Sequence, residues 1–183
     1  ELHEMKPQKY SPAHESPSLC ELVCSNSLKS ADVYANACGL LKEEMRILGS
    51  LTMEAAAHTA VPAGGALAVD REKFAAYVTE KIRGEKNIRV VTEEIVKIPE
   101  VSGDEYAIIA TGPLTADALA ADIEQKTGRN LHFFDASAPV IAADSIDYTR
   151  AFTQDRYDKG TGDYVNCPLT KEEYYAFVEA LGT

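Results

Sequence analysis

The segment Leu22-Val23-Cys24-Ser25-Asn26-Ser27-Leu28-Lys29-Ser30 surrounds one thiol with small, hydrogen-bonding side chains, and Val61-Pro62-Ala63-Gly64-Gly65-Ala66-Leu67-Ala68-Val69-Asp70-Arg71 follows it. Neither a packed core nor a solvated face has reason to concentrate such residues around a potential nucleophile. A thiolate attacks strongly and also leaves readily, so Cys24 is the candidate for a covalent step. Gly64 and Gly65 allow a backbone to approach a ligand closely. The ordinary alternatives are an inert, buried Cys24, and Ser25, Asn26 and Ser27 serving as caps and turns, a role compatible with a site.

Other chemistries fit less well. The chain has four cysteines, Cys20, Cys24, Cys38 and Cys167, and four histidines. Cys20 and Cys24 could share a helical face, yet no second pair has ribbon or finger spacing and no histidine falls at a matching interval, so no metal site is expected. A C-x-x-C pair is also missing, which argues against a small dithiol redox protein. Free thiols are expected, with Cys20 and Cys38 in packing roles and Cys167 structural. Eighteen basic against 29 acidic residues give a net charge of −11, which repels polyphosphates at long range. The piece alone should therefore bind nucleic acid poorly.

The 183 residues, 45% of them apolar, suffice for one domain, or one domain and part of another. No apolar run is long enough to span a bilayer, and the first residues lack a signal-peptide pattern, so a cytoplasmic location with no membrane partner is expected. The chain opens on Glu1 with an abrupt apolar pattern and reads as a piece of a longer polypeptide.

The elements that must position these residues follow from periodicity. Leu2 to Met5 reads as the end of a strand and Lys6 to Pro17 as a loop punctuated by Pro7, Pro12 and Pro17. A helix is expected from Ser30 to Asp32 through Leu48, burying Val33, Ala37, Leu40, Leu41, Met45 and Leu48. An Ala-rich helix covers Leu51 to His58. Asp70 caps another running to Arg83, with Phe74, Val78 and Ile82 inward. Ile88 to Thr92, Glu94 to Ile98 and Tyr106 to Ala110 read as strands, the last buried on both faces and ending in Thr111-Gly112-Pro113. Thr115 caps a helix with Leu119 and Ile123 inward, ending at Gly128. Leu131 to Phe134 and Pro139 to Ala142 read as strands, and the stretch from Asp144 to Thr170 as irregular. Thr170-x-x-Glu173 forms a capping box for a last helix carrying Tyr174, Phe177 and Leu181.

Several of these segments carry a family resemblance. Glu4-Met5-Lys6-Pro7, Pro12-Ala13-His14, Glu21 to Leu28, Leu40-Leu41-Lys42-Glu43-Glu44-Met45, Val61 to Arg71, Ala110 to Thr115 and Arg156-Tyr157-Asp158-Lys159-Gly160 resemble, in order, the folate- and FAD-dependent tRNA (uracil-5-)-methyltransferases. This is the TrmFO family, related to the glucose-inhibited division flavoproteins. Its members are roughly twice this length or more, and the chain resembles an internal segment of them.

The resemblance implies an α/β fold. Residues 1–113 would form a Rossmann-like FAD-binding domain, incomplete because its first strand and glycine-rich turn are missing, and residues 114–183 would begin an inserted α+β substrate domain. It implies a cytoplasmic enzyme that makes ribothymidine in the T-loop of tRNA, with methylenetetrahydrofolate as carbon donor, FAD as reductant and NAD(P)H reducing the flavin. A nucleophile adds to C6 of uracil, C5 attacks the methylene, and elimination with hydride transfer completes the methyl group. Cys24 stands at a family active-site cysteine. Glu4 matches the carboxylate that accepts hydrogen bonds from the adenosine ribose, and Lys6 lies beside it. By the same resemblance Ser25, Asn26, Ser27, Gly64, Gly65 and Ala66 line the flavin. Val96 faces adenine, and Ala110, Thr111 and Gly112 form a strand-end turn approaching FAD. Arg156 and Lys159 match a substrate-facing loop; solvated ion pairs with Asp155 or Asp158 are their ordinary alternative. No G-x-G-x-x-G precedes Glu4, so the chain alone should hold FAD weakly or not at all. The competing reading is a folded module of a flavoprotein without activity of its own.

Overall fold

A computed structural model describes residues 1–128, 141–155 and 160–181, and shows a mixed α/β protein. Two layers matter for the site. One is a three-stranded antiparallel sheet of β2 (Ser27–Ser30), β3 (Ala60–Val61) and β4 (Ala66–Val69), in the order β2-β4-β3. The other is the helical layer against it, α1 (Ala37–Ile47), α2 (Leu51–Thr59) and α3 (Arg71–Gly84). Beside them β1 (Leu2–Glu4) pairs in parallel with β5 (Val90–Thr92), Glu4 opposite Thr92.

The helix ends obey local chemistry. α1 stops where Gly49 adopts φ 73°, and the Gly49 and Ser50 amides donate to the carbonyls of Arg46 and Met45, the hydrogen-bond pattern of a Schellman motif. Asp70 caps α3 as expected, its Oδ1 accepting the Lys73 amide at 3.1 Å. From there Phe74 and Val78 reach the core cluster with Met53, Ala55, Ala56 and Val69, and Phe74 and Val69 are fully buried. Ile82, Leu22, Leu28 and Met45 pack around it. The core thus lies directly beneath β4 and the loop that carries Cys24.

Several expectations are corrected. Ser30 to Asp32 do not start a helix: Ser27–Ser30 is a strand, and Asp32 Oδ1 accepts the Tyr34 and Ala35 amides in a tight turn before α1. Local side-chain acceptors favour turns over helix at such positions. The face of α1 expected in the core is only partly covered, through Met45; Leu40, Leu41 and Leu48 are exposed. Glu94 to Ile98 and Tyr106 to Ala110 form no strand, and Tyr106 and Ile108 are about 90% exposed. A β-branched run becomes a strand only beside a partner, and none lies alongside these among the described residues.

α4 (Asp117–Thr127) begins one residue past Ala116, so Thr115 is not its cap; the Thr115 hydroxyl donates to the Gly112 carbonyl instead. Leu119 is buried as expected, and Gly128 ends the helix at φ 66°. Asp122 Oδ2 ties α4 to the Ile98 amide at 2.8 Å. The strand expected at Leu131 to Phe134 and most of that at Pro139 to Ala142 lie outside the described residues, while Ile141 and Ala142 have no regular structure. The region expected to be irregular contains a small antiparallel ribbon, β6 (Phe152–Thr153) with β7 (Val165–Asn166). The capping box holds. The Thr170 amide donates to Glu173 Oε2, the Glu173 amide to Thr170 Oγ1, and α5 (Lys171–Leu181) follows. Tyr174, Phe177 and Leu181 on it are exposed. Among the described residues no helix is long and apolar enough to cross a membrane.

Candidate functional site

Cys24 lies in an extended loop fastened on both sides. Before it, the Lys6 ammonium, itself buried, donates to the Ser18 carbonyl at 2.6 Å and to Glu21 Oε2 at 3.3 Å. Glu21 Oε1 accepts the Glu15 and Ser16 amides, both at 3.0 Å. Partial burial pulls the Glu21 pKa upward, but those amides and the Lys6 charge outweigh it and hold the carboxyl below its ordinary range. After Cys24, Asn26 bonds Val69 twice, its Nδ2 donating to the Val69 carbonyl and its own carbonyl accepting the Val69 amide, both at 3.0 Å. Arg71, the first residue of α3, extends Nη2 to the Cys24 carbonyl at 3.5 Å. With its backbone held this way, the Cys24 side chain is left exposed and free of any disulfide.

The β2–β4 ladder brings the two motifs together. Ser27 pairs with Ala68 and Ser30 with Ala66, and the Ala31 amide donates to the Gly65 carbonyl at 3.0 Å. Ser27 and Ala66 therefore share one sheet, with Ser25 and Asn26 entering it at the Val69 end of the ladder and Gly64 and Gly65 at the opposite, Ala31 end. Gly64 takes φ 57°, a conformation glycine adopts without strain. A Cβ at Gly65 would meet nothing within 4 Å, so the backbone is open at that residue. Ser25 Oγ and Ser27 Oγ accept the Ser27 and Lys29 amides, which leaves their hydroxyl protons for a ligand.

The remaining candidates lie elsewhere. Glu4 closes β1, and its carboxylate accepts the Lys6 amide at 2.9 Å while its carbonyl accepts that of Glu93. Val96, half exposed, follows β5 as the chain leaves the same, carboxyl-terminal end of the parallel pair. Lys6 spends its charge on Ser18 and Glu21, so it links the Glu4 end of β1 to the Cys24 loop. Ala110, Thr111 and Gly112 are exposed in a turn whose hydrogen bonds are local, Thr111 Oγ1 lying 2.6 Å from Thr115 Oγ1. Arg156 and Lys159 lie outside the described residues.

The other thiols differ from Cys24. Cys38 is half buried and Cys167 exposed. The Cys20 residue is exposed, but its thiol borders a small cleft with Leu2, Leu19, Val78 and Ile82, and burial raises its pKa against the lowering influence of Lys6. A larger cleft of about 470 Å³ opens beside the Cys24 loop, lined in part by Ser16, Ser18, Glu21, Leu22, Arg71 and Glu72. Among the described residues no group of three His, Cys, Asp or Glu side chains could hold a metal ion.

Sequence reasoning assigned no role to Arg71, Asp163 or Tyr164. Arg71 stands inside the glycine-containing motif, so its place at the start of a capped helix was a usable signal. Asp163 and Tyr164 reach the Gly64 turn from far along the chain, and no local pattern announces that contact.

A family model described as glucose inhibited division protein A matches residues 3–183. A protein of Geotalea uraniireducens named Methylenetetrahydrofolate--tRNA-(uracil-5-)-methyltransferase TrmFO is 59% identical over 181 residues, 98% of this chain and 41% of its own length. Proteins of the same name from Geobacter sulfurreducens and Caldicellulosiruptor bescii are 56% and 52% identical, covering 98% and 96% of this chain and 41% and 40% of their own. The chain thus spans about two fifths of the length of the curated relatives it matches. It belongs to the glucose inhibited division protein A family, and its resemblance to the TrmFO proteins extends over nearly the whole chain.

Proposed function

We propose that this chain supplies the Cys24-bearing, flavin-facing part of an enzyme that methylates C5 of the T-loop uridine of tRNA, with methylenetetrahydrofolate as carbon donor. The observation that carries the reading is the exposed Cys24 on a loop pinned by Glu21, Asn26 and Arg71, which runs into the strand β2 that pairs with β4 beyond the Gly64-Gly65 turn. The relatives' names supply the reaction class.

In this reading the Cys24 thiolate adds to C6 of the target uracil, which makes C5 nucleophilic toward the methylene carbon; loss of the C5 proton would release the tetrahydrofolate amine, and the thiolate would leave C6 as a hydride reaches the exocyclic methylene. FAD, when bound and reduced by NAD(P)H, supplies the hydride that completes the methyl group. Ser25, Asn26, Ser27, Gly64, Gly65 and Ala66 would line the flavin, to which the Ser25 and Ser27 hydroxyl protons and the open space over Gly65 are available. Glu4, at the carboxyl end of a parallel strand, suits a ribose hydroxyl pair, with Val96 and the Ala110-Thr111-Gly112 turn completing the cofactor's surroundings. Lys6 acts there by fixing Glu21 and the loop above it. Residues 1–113 form the cofactor-facing part and residues 114–183 begin a substrate-facing one, with Arg156 and Lys159 meeting RNA phosphate.

The test is a graft. The 181 matched residues replace their counterparts in the Geotalea uraniireducens protein, and methyl transfer from labelled methylenetetrahydrofolate to tRNA is measured. Transfer with flavin retained supports the reading. A folded, flavin-bound graft without transfer overturns it in favour of a non-catalytic module.

A further inference from the structure

The ribbon of β6 and β7 docks on the glycine turn from about a hundred residues away in sequence, and its contacts are specific. Asp163 Oδ2 accepts the Gly64 amide at 2.9 Å, and the Tyr164 hydroxyl donates to the Ala63 carbonyl at 3.1 Å. That same carbonyl accepts the Ala66 amide at 3.0 Å, closing the turn from within. Gly160 packs so closely that an added Cβ would come 2.8 Å from Gly64 Cα. Behind this contact Asp155, 5% exposed, holds the ribbon's own bend through the Gly162 and Asp163 amides at 2.6 and 3.0 Å. The Gln154 amide donates to the Tyr164 carbonyl, and Asn166 Nδ2 to the Gln154 carbonyl, so Asp163 and Tyr164 are presented on a braced scaffold.

We propose that Asp163 and Tyr164 are positioning residues. They clamp the Gly64 turn, and through the Gly65–Ala31 bond and the β2–β4 ladder they set the strand β2 into which the Cys24 loop runs. The clamp couples the later part of the chain to the cofactor-facing turn, so docking of the ribbon and shaping of the turn are one event. Asp163 is suited to this because an ionised carboxylate makes a stronger hydrogen bond to a backbone amide than a neutral acceptor does. Gly64 is itself constrained, since its φ of 57° is one that a residue with a side chain rarely adopts. The flavin side of this inference rests on the function proposed above.

Two measurements on Asp163→Ala, Asp163→Asn and Tyr164→Phe test it. On the 183-residue chain, amide exchange at Gly64 should quicken about tenfold in Asp163→Ala and stay within about threefold in Asp163→Asn, which keeps an acceptor. In the flavin-bound graft, Asp163→Ala should shift the flavin absorption band and raise the KM for the methyl donor more than it lowers kcat, with Asp163→Asn restoring both. Tyr164→Phe should give the same changes at smaller size. Unchanged Gly64 exchange in Asp163→Ala overturns the clamp. Faster exchange with an unmoved flavin band and KM overturns the positioning role, leaving a structural contact only. A wild-type graft without flavin would sink the functional reading instead, and the exchange result would then decide the clamp by itself.

Discussion

Asn26 and Val69 exchange two hydrogen bonds of 3.0 Å, one through the Asn26 side chain and one through its backbone, and Val69 is completely buried. This pair anchors the residue two positions after Cys24 to the strand that feeds α3. The Cys24 loop is thereby tied to the buried core, while Cys24 itself is exposed. Asn26→Ala should cost about 1–2 kcal/mol, because it removes one bond and leaves the carbonyl of buried Val69 without that donor. Urea unfolding checks this. A change below a few tenths would show that the side-chain bond is not formed in solution.

Phe74 tests the core beneath the site. It is fully buried among Met53, Val69 and Val78, so Phe74→Ala should lower stability by about 3–5 kcal/mol, the cost of lost burial plus a cavity. Thermal unfolding measures it. A loss under about 1 kcal/mol would place Phe74 outside the core.

The Lys6–Glu21 latch gives a pH dependence with a definite sign. Burial raises the Glu21 pKa, the Glu15 and Ser16 amides and Lys6 lower it further than that, and the net folded value is depressed. A depressed carboxylate stabilises the fold above its unfolded pKa and loses that contribution as pH falls through the folded value. Glu21→Gln should therefore be less stable than wild type at neutral pH, and the gap should close as pH drops below the ordinary glutamate range. Paired denaturation midpoints at pH 7 and at about pH 3 read this out; a gap that widens in acid would contradict it.

Thiol chemistry separates the cysteines. Cys24 is exposed, Cys38 is half buried, and burial raises the Cys20 pKa against the effect of Lys6. At mildly alkaline pH a small alkylating reagent should modify Cys24 before Cys38, while Cys20 stays mostly thiol and lags. Peptide mapping over time gives the order. Cys38 reacting ahead of Cys24 would refute the exposure described here.

Legibility from sequence followed the range of the interactions. The Asp70 cap, the Phe74 and Val78 stripe and the Thr170–Glu173 box depend on neighbours three or four residues apart, and each formed as read. β2 and β4 were missed because Ser27–Ser30 is polar and Ala66–Val69 small; each is a strand only because the other pairs with it. Tyr106 to Ala110 failed in the opposite way, having strand-like composition with no adjacent strand among the described residues. At the site, the two motifs around Cys24 and Gly64 could be named from residue types alone. Their meeting through the β2–β4 ladder, and the hold of Asp163 on Gly64, are long-range facts that no local spacing encodes.

The central claim is that Cys24 is the nucleophile. It is tested most directly in the grafted enzyme by comparing Cys24→Ala with wild type for single-turnover methyl transfer to tRNA, while flavin content is monitored by absorbance. The account predicts a loss of at least about a thousandfold with flavin occupancy unchanged, because the covalent step has no substitute. Turnover within about threefold of wild type would contradict it and move the chemistry to another residue.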